Sequence, residues 1–171
     1  MPSNIEIKAR DSDPARRRHL AETLAGTPPT VLQQTDTFFP GARGRLKLRQ
    51  LSPTHGELIS YHRADLAGTK QSHYLISRTA EPAALRAVLA DAYGTGTVVT
   101  KTRLLFLVGQ TRIHLDEVVG LGSFLELEVV LANGQSPAEG HRIAREIMTA
   151  LEIRDEDLLT GAYADMLSSQ L

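Results

Sequence analysis

Charged side chains recur in this chain at every second position, and the residues between them are apolar. Glu6, Lys8 and Arg10 alternate with Ile5, Ile7 and Ala9, and Arg45, Lys47 and Arg49 with Leu46 and Leu48. The pattern returns at Lys101 and Arg103, from Arg112 through His114 to Asp116, and at Glu126 and Glu128 between Leu125, Leu127 and Val129. A period of two is that of a β-strand, so each stretch makes a strand with one charged and one apolar face. An antiparallel sheet with one wet face alternates in the same way. Wet faces, however, mix neutral polar residues with charged ones. Here a single face carries the cations Arg45, Lys47 and Arg49, and another carries the carboxylate pair Glu126 and Glu128, with no neutral spacer. Like charges two residues apart repel, so a sheet that gathers them is built around a multivalent charged ligand. A polyphosphate with its metal ion fits both signs.

Composition narrows the classes further. A length of 171 residues with 42% hydrophobic side chains is that of one ordinary globular domain, 1–171. With 19 Lys plus Arg against 20 Asp plus Glu, no global field draws the protein to nucleic acid or to an anionic membrane. The absence of cysteine excludes disulfides and thiolate metal sites. The first ten residues read as a strand rather than a signal segment, and no apolar run approaches the ~18 residues of a membrane span. The expectation is a soluble cytoplasmic protein without nucleic-acid or membrane partners.

Turn and cap signals divide the chain. Asp13 and Pro14 open a helix that stops at Gly26, Pro82 opens one ending near Gly94, and Ser136, Pro137 and Glu139 form a capping box for a third to about Leu151. A last helix is expected over Leu158 to Leu167. Three consecutive helical residues, Arg16, Arg17 and Arg18, point in three directions and read as solvated surface. Strands are expected over 1–10, 31–39, 45–51, 57–63, 70–78, 98–108, 111–118 and 123–131, with loops at 40–44 and 64–69 and a hairpin turning at Gly109 and Gln110. The class is therefore α+β, with about eight antiparallel strands. Charged faces either look into water or are enclosed by curling the sheet, and eight strands suffice to close a barrel around a small ligand. The alternation leaves both arrangements open.

The segments "NIEIKAR" at 4–10, "QTDTFF" at 34–39, "GRLKLRQ" at 44–50, "RIHLDEVVGLGSFLELE" at 112–128 and "GAYADML" at 161–167 resemble the CYTH superfamily, the triphosphate tunnel metalloenzymes. That family includes class IV adenylyl cyclases, thiamine triphosphatases and inorganic tripolyphosphatases. The resemblance implies an eight-stranded antiparallel β-barrel, or triphosphate tunnel, with helices packed outside. It also implies phosphate-binding cations inside and carboxylates that hold Mg²⁺ or Mn²⁺. Position by position, Glu6, Asp116, Glu126 and Glu128 match the metal-binding carboxylates, and Lys8, Lys47, Arg49, Lys101 and Arg103 match the phosphate-binding cations. Arg45 and Arg112 share the faces of those strands. Glu6, Lys8 and Asp116 match positions placed closest to the chemistry.

Two departures stand out. Asn4 occupies the place of the first glutamate of the family's Glu-x-Glu-x-Lys opening; its amide oxygen can ligate a hard cation without adding charge. Tyr61, His62 and Arg63 stand where a lysine is usual on the fourth strand; His62 is the candidate phosphate contact, and Arg63 could substitute only if a bulge turns it inward. Other residues carry less. His55 lies in a turn and His141 on the surface of a helix, neither with zinc spacing. Gly120-Leu121-Gly122 precedes a strand and so is no dinucleotide fingerprint. Tyr163 reads as a packed helix residue at one tunnel mouth. The resemblance implies a metal-dependent phosphohydrolase acting on a small-molecule triphosphate or polyphosphate. Class IV adenylyl cyclase is the alternative, and a non-catalytic polyphosphate-binding module the reading from a different class.

Overall fold

The computed structural model describes residues 3–41, 44–63 and 70–169. Its strands are β1 (Ser3–Arg10), β2 (Thr30–Phe39), β3 (Arg45–Ser52), β4 (His55–Arg63), β5 (Lys70–Thr79), β6 (Val98–Val108), β7 (Thr111–Val118) and β8 (Gly122–Val130). Around the sheet they run β1-β5-β4-β3-β2-β6-β7-β8, every pair antiparallel, and β8 pairs back onto β1 to close a barrel. The helices are α1 (Pro14–Ala25), α2 (Pro82–Tyr93), α3 (Pro137–Ala150) and the short α4 (Tyr163–Ser168). Closure decides between the two arrangements that alternation allowed.

The barrel is apolar outside and charged inside. Ile7, Ile113, Leu125 and Leu127 point outward and pack with Ala21 of α1, Met148 of α3 and Leu151 into the largest apolar cluster. Removing each such side chain from water contributes roughly 1.5–3 kcal/mol, so the core lies between barrel and helices. α3 comes closest at Gly140, where a Cβ would fall 2.6 Å from Ile5 Cγ1, and it opens with the expected box between Ser136 and Glu139. α1 is capped by Asp13 and ends at Gly26 with φ of 66°. No helix among the described residues is long and apolar enough to cross a membrane.

Two details differ from the sequence reading. The last helix is confined to Tyr163–Ser168, because Leu158 bridges to Ala9 and Gly161 turns the chain at φ of 78°. Arg17 is buried rather than solvated, its guanidinium bonding the Leu151 carbonyl and facing Asp11. Its flanking arginines do lie at the surface, Arg16 paired with Glu152 and Arg18 with Glu22. Of the expected loops, 64–69 and residues 42–43 lie outside the described residues.

Candidate active site inside the barrel

The inner strand faces line a cavity of about 280 Å³. Among the described residues seven cations line it, and five of them stand against buried carboxylates: Lys8 from β1, Lys47 and Arg49 from β3, Lys101 and Arg103 from β6. Alternation puts each pair on one face, and the strand order sets β3 and β6 on either side of β2. Carboxylates interleave with them, Asp36 from β2, Glu6 from β1 and Glu126 and Glu128 from β8. The facing wall, from β4 and β5, differs in kind. Ile59 opposes Ile76 there and Tyr61 opposes Tyr74, beyond the pair Glu57 and Arg78.

Strand register joins opposite charges. Asp36 lies across from Arg49 and accepts two hydrogen bonds from its guanidinium, at 2.8 Å each, and a third from Lys47 at 2.8 Å. Arg103 lies across from Asp116, donates to both its oxygens at 2.7 and 2.6 Å, and reaches Glu126 at 2.9 Å. Lys101 Nζ stands 3.5 Å from Asp116, and Lys8 Nζ 3.8 Å from Glu126. The crowded cations are thus held by buried carboxylates, not left to repel one another. Among the described residues, Nη1 of both Arg49 and Arg103 bonds no protein acceptor. Each is a pinned fork with a donor to spare for a ligand.

Protonation follows from this pairing. Burial works to raise the Asp36 carboxyl, but Lys47 and Arg49 hold it well below the usual range. Lys47 itself is lowered, by burial first and then by Arg49, because it shares its carboxylate with a stronger cation. Burial and Arg103 bring Lys101 down to about 7. Asp116 would be raised by burial, yet Arg103 and Lys101 bring it to about 2. Glu126 likewise ends well below its ordinary value, Lys8 being the chief opponent of burial. Burial, then Arg103, keeps His114 low and therefore neutral at pH 7. The Tyr163 hydroxyl is raised by burial and Asp116 and stays a donor, giving its proton to Asp116 Oδ2 at 3.0 Å.

The donor set suits a hard divalent cation. Glu6 and Glu128 sit directly across from each other on β1 and β8, so that two carboxylates share one stretch of the wall. Beside them Asn4, 3% exposed on the cavity wall, has an amide oxygen with no hydrogen-bond partner among the described residues. Oxygen donors of this kind are what Mg²⁺ and Mn²⁺ take. Oxygen atoms of Glu126 and Glu128 also lie within 4.8 Å of each other and of a ring nitrogen of His114.

Not every expected residue is on this wall. His62 is exposed on the outer face of β4, because the phase that brings Glu57, Ile59 and Tyr61 inward turns position 62 outward; it is no phosphate contact here. The side chain of Arg63 lies outside the described residues. Arg45 is off the cavity and clamps α4 through two bonds to Asp165, at 2.8 and 2.7 Å. Arg112 lines the cavity near Glu128, at 3.5 Å, but is largely exposed. Asp116 is set behind the wall, 2% exposed, its oxygens occupied by Arg103 and Tyr163, so its position is that of an anchor for cations. One residue went unforeseen, and another stands at the tunnel mouth where the sequence placed it. Asp36 is a lone acid among Gln and Thr, and only the β2–β3 register reveals what it holds. Tyr163 plugs one barrel end against Phe124, at 5.0 Å between rings, with Lys8 Nζ 3.8 Å from its centroid.

The comparisons with known proteins fit this geometry. The family model for the CYTH domain matches residues 3–163. This chain belongs to the CYTH domain family. Among solved structures, a Pyrococcus horikoshii protein is similar to it over 95% of this chain and 98% of its own, with 20% identity and a TM-score of 0.78. A conserved protein of Pyrococcus furiosus covers the same shares at 18% identity and 0.79. An adenylyl-cyclase candidate from Hippeastrum with a dominant triphosphatase activity covers 98% and 96%, at 15% identity and 0.70. At such identities these likenesses show the fold alone. No curated protein matches the sequence. The CYTH barrel described here is thus shared end to end with proteins that have kept little of its sequence.

Proposed function

We propose that this CYTH protein is a metal-dependent phosphohydrolase that cleaves the terminal phosphoryl group of a triphosphate inside the barrel. The observation that carries the reading is the set of five cavity cations fixed in advance by Asp36, Asp116 and Glu126. Donors held in place before the substrate arrives stabilise charge on a transferring phosphoryl group without reorganising, which is the main term in such catalysis. Lys8, Lys47 and Lys101 act as point charges, and Arg49 and Arg103 donate through the Nη1 groups that the protein leaves over. Glu6, Glu128 and Glu126 would hold Mg²⁺ or Mn²⁺, with Asn4 supplying a neutral oxygen. Such an ion would supply Lewis-acid stabilisation of the phosphoryl charge and activation of water.

In the step itself the water oxygen bonds to the terminal phosphorus, and the bond from that phosphorus to the bridging oxygen breaks. A water proton passes to a carboxylate on the wall, the role we assign to Glu6, and the shortened phosphate leaves. Asp116 works through Arg103 and Lys101 and is a positioning residue. The Ile59, Tyr61, Tyr74 and Ile76 wall offers apolar and aromatic surface beside the cations, which favours an organic triphosphate over an inorganic one. The Hippeastrum neighbour, with its dominant triphosphatase activity, is a precedent for hydrolysis on this fold.

A panel of tripolyphosphate, thiamine triphosphate and ATP, each with Mg²⁺ or Mn²⁺, tests this. Release of orthophosphate is expected. Pyrophosphate with cyclic AMP would select the cyclase, and binding without turnover would select a polyphosphate-binding module.

A further inference from the structure

His114 is left over by the proposed chemistry. It lies on β7 inside the barrel, 4% exposed, across from Glu126 on β8. Its Nδ1 is buried with no hydrogen-bond partner among the described residues. The facing atoms are Glu126 Oε2 at 3.7 Å and Glu128 Oε1 at 3.9 Å, both too distant for a hydrogen bond. A buried ring nitrogen without a partner is uncommon, and one aimed between two carboxylates has an evident candidate in a cation that would draw all three inward. The three donor atoms lie within 4.8 Å of one another. Ligands about 2.0–2.2 Å from a common centre stand about 3–4.4 Å apart, so a shift of a few tenths of an ångström closes the shell. Arg103 takes one lone pair of Glu126 Oε2, and a carboxylate oxygen has a second.

We propose that His114 is a nitrogen ligand of a divalent cation held by Glu126 and Glu128, and that this site consequently prefers first-row transition ions to Mg²⁺. The inference rests on the reading that these two glutamates are metal ligands. Carboxylate and water suit Mg²⁺, whereas imidazole suits the transition series and gains along it from Mn²⁺ towards Cu²⁺. A histidine in the shell therefore shifts the selectivity of an otherwise all-oxygen site.

The test uses the metal alone on the whole protein. Mn²⁺ bound to the wild type is examined by electron spin echo spectroscopy for coupling to a histidine ¹⁴N nucleus, and Co²⁺ and Mg²⁺ affinities are measured by calorimetry for wild type, His114→Gln and Glu126→Gln. The proposal expects ¹⁴N coupling in the wild type, and a Co²⁺ affinity about tenfold or more weaker in His114→Gln with Mg²⁺ binding little changed. Absence of ¹⁴N coupling in the wild type overturns it, and that experiment needs no variant to fold. Equal loss of Co²⁺ and Mg²⁺ in His114→Gln, or no loss, also overturns it. If Glu126→Gln leaves both ions bound as before, the carboxylate reading itself has failed, a result separate from the fate of His114.

Discussion

Replacing Asp36 by asparagine should weaken the empty barrel far more than the bound one. The carboxylate takes three charge-assisted hydrogen bonds from Lys47 and Arg49, and it is 2% exposed. Asparagine keeps the shape but turns an NH₂ group towards donors and leaves two cations without their counter-charge. Removing one partner of a buried pair costs about 3–5 kcal/mol. The Lys47 and Arg49 side chains retain 13% and 14% of their exposure, so some water reaches them and the lower end applies, about 3 kcal/mol. For a chain of this size that lowers Tm by about 6–12 °C. Tripolyphosphate at about 100 times its Kd adds about 2.7 kcal/mol to the wild type. In Asp36→Asn the same ligand concentration should add at least as much, because the polyanion takes over the missing charge. Differential scanning fluorimetry of both proteins, with and without tripolyphosphate, reads both quantities. A drop below about 2 °C, or an undiminished drop together with loss of the ligand-induced rise, would refute the account of Asp36 as counter-ion to an anion wall.

Other consequences are measured as readily. Glu128→Gln should lose metal-dependent phosphate release by at least about 100-fold while Tm moves by only a few degrees, since its side chain is half-buried and its partner Arg112 largely exposed; unaltered turnover would remove Glu128 from the metal shell. Asn4→Glu adds a charge where the amide oxygen is unpartnered, and calorimetry should show tighter Mg²⁺ or Mn²⁺ binding, by about tenfold; no change would place position 4 outside the shell. Lys101, at about 7 in the empty barrel, should be driven back towards its ordinary 10.5 by a bound polyanion. Tripolyphosphate binding at pH 8 should therefore take up protons, seen as a dependence of binding heat on buffer ionisation, and affinity should fall as pH rises above 7. The same lowered value means that the unfolded chain binds more protons between about pH 7 and 10.5, so this group's contribution to stability rises across that window and its penalty is complete below it.

Alternation made the strands and their charged faces legible, since a side chain two positions on must share a face. The caps at Asp13, Ser136 and Gly26 were legible for the same local reason. Closure was not, because it depends on β1 meeting β5 across more than sixty residues of chain, and no local signal records that pairing. Partner choice inside the barrel was hidden likewise. Asp36 meets Arg49, and Asp116 meets Arg103, only once the register of neighbouring strands is fixed. His62 is a different case, for the phase from Glu57 through Ile59 already turned it outward. Phase, not charge, decides which face of a strand a side chain occupies. The last helix is shorter than the expected Leu158 to Leu167 because Gly161, at φ of 78°, is a boundary of the helical run and not part of it.

The central claim is an anion site enclosed by the barrel, and calorimetric titration of tripolyphosphate into wild type and Arg49→Gln tests it most directly. One molecule should bind per chain, and the variant should bind about 10–100-fold more weakly, the loss of charge-assisted hydrogen bonds worth about 1.5–3 kcal/mol. Equal affinity in the two proteins, or no binding to the wild type, would contradict the account.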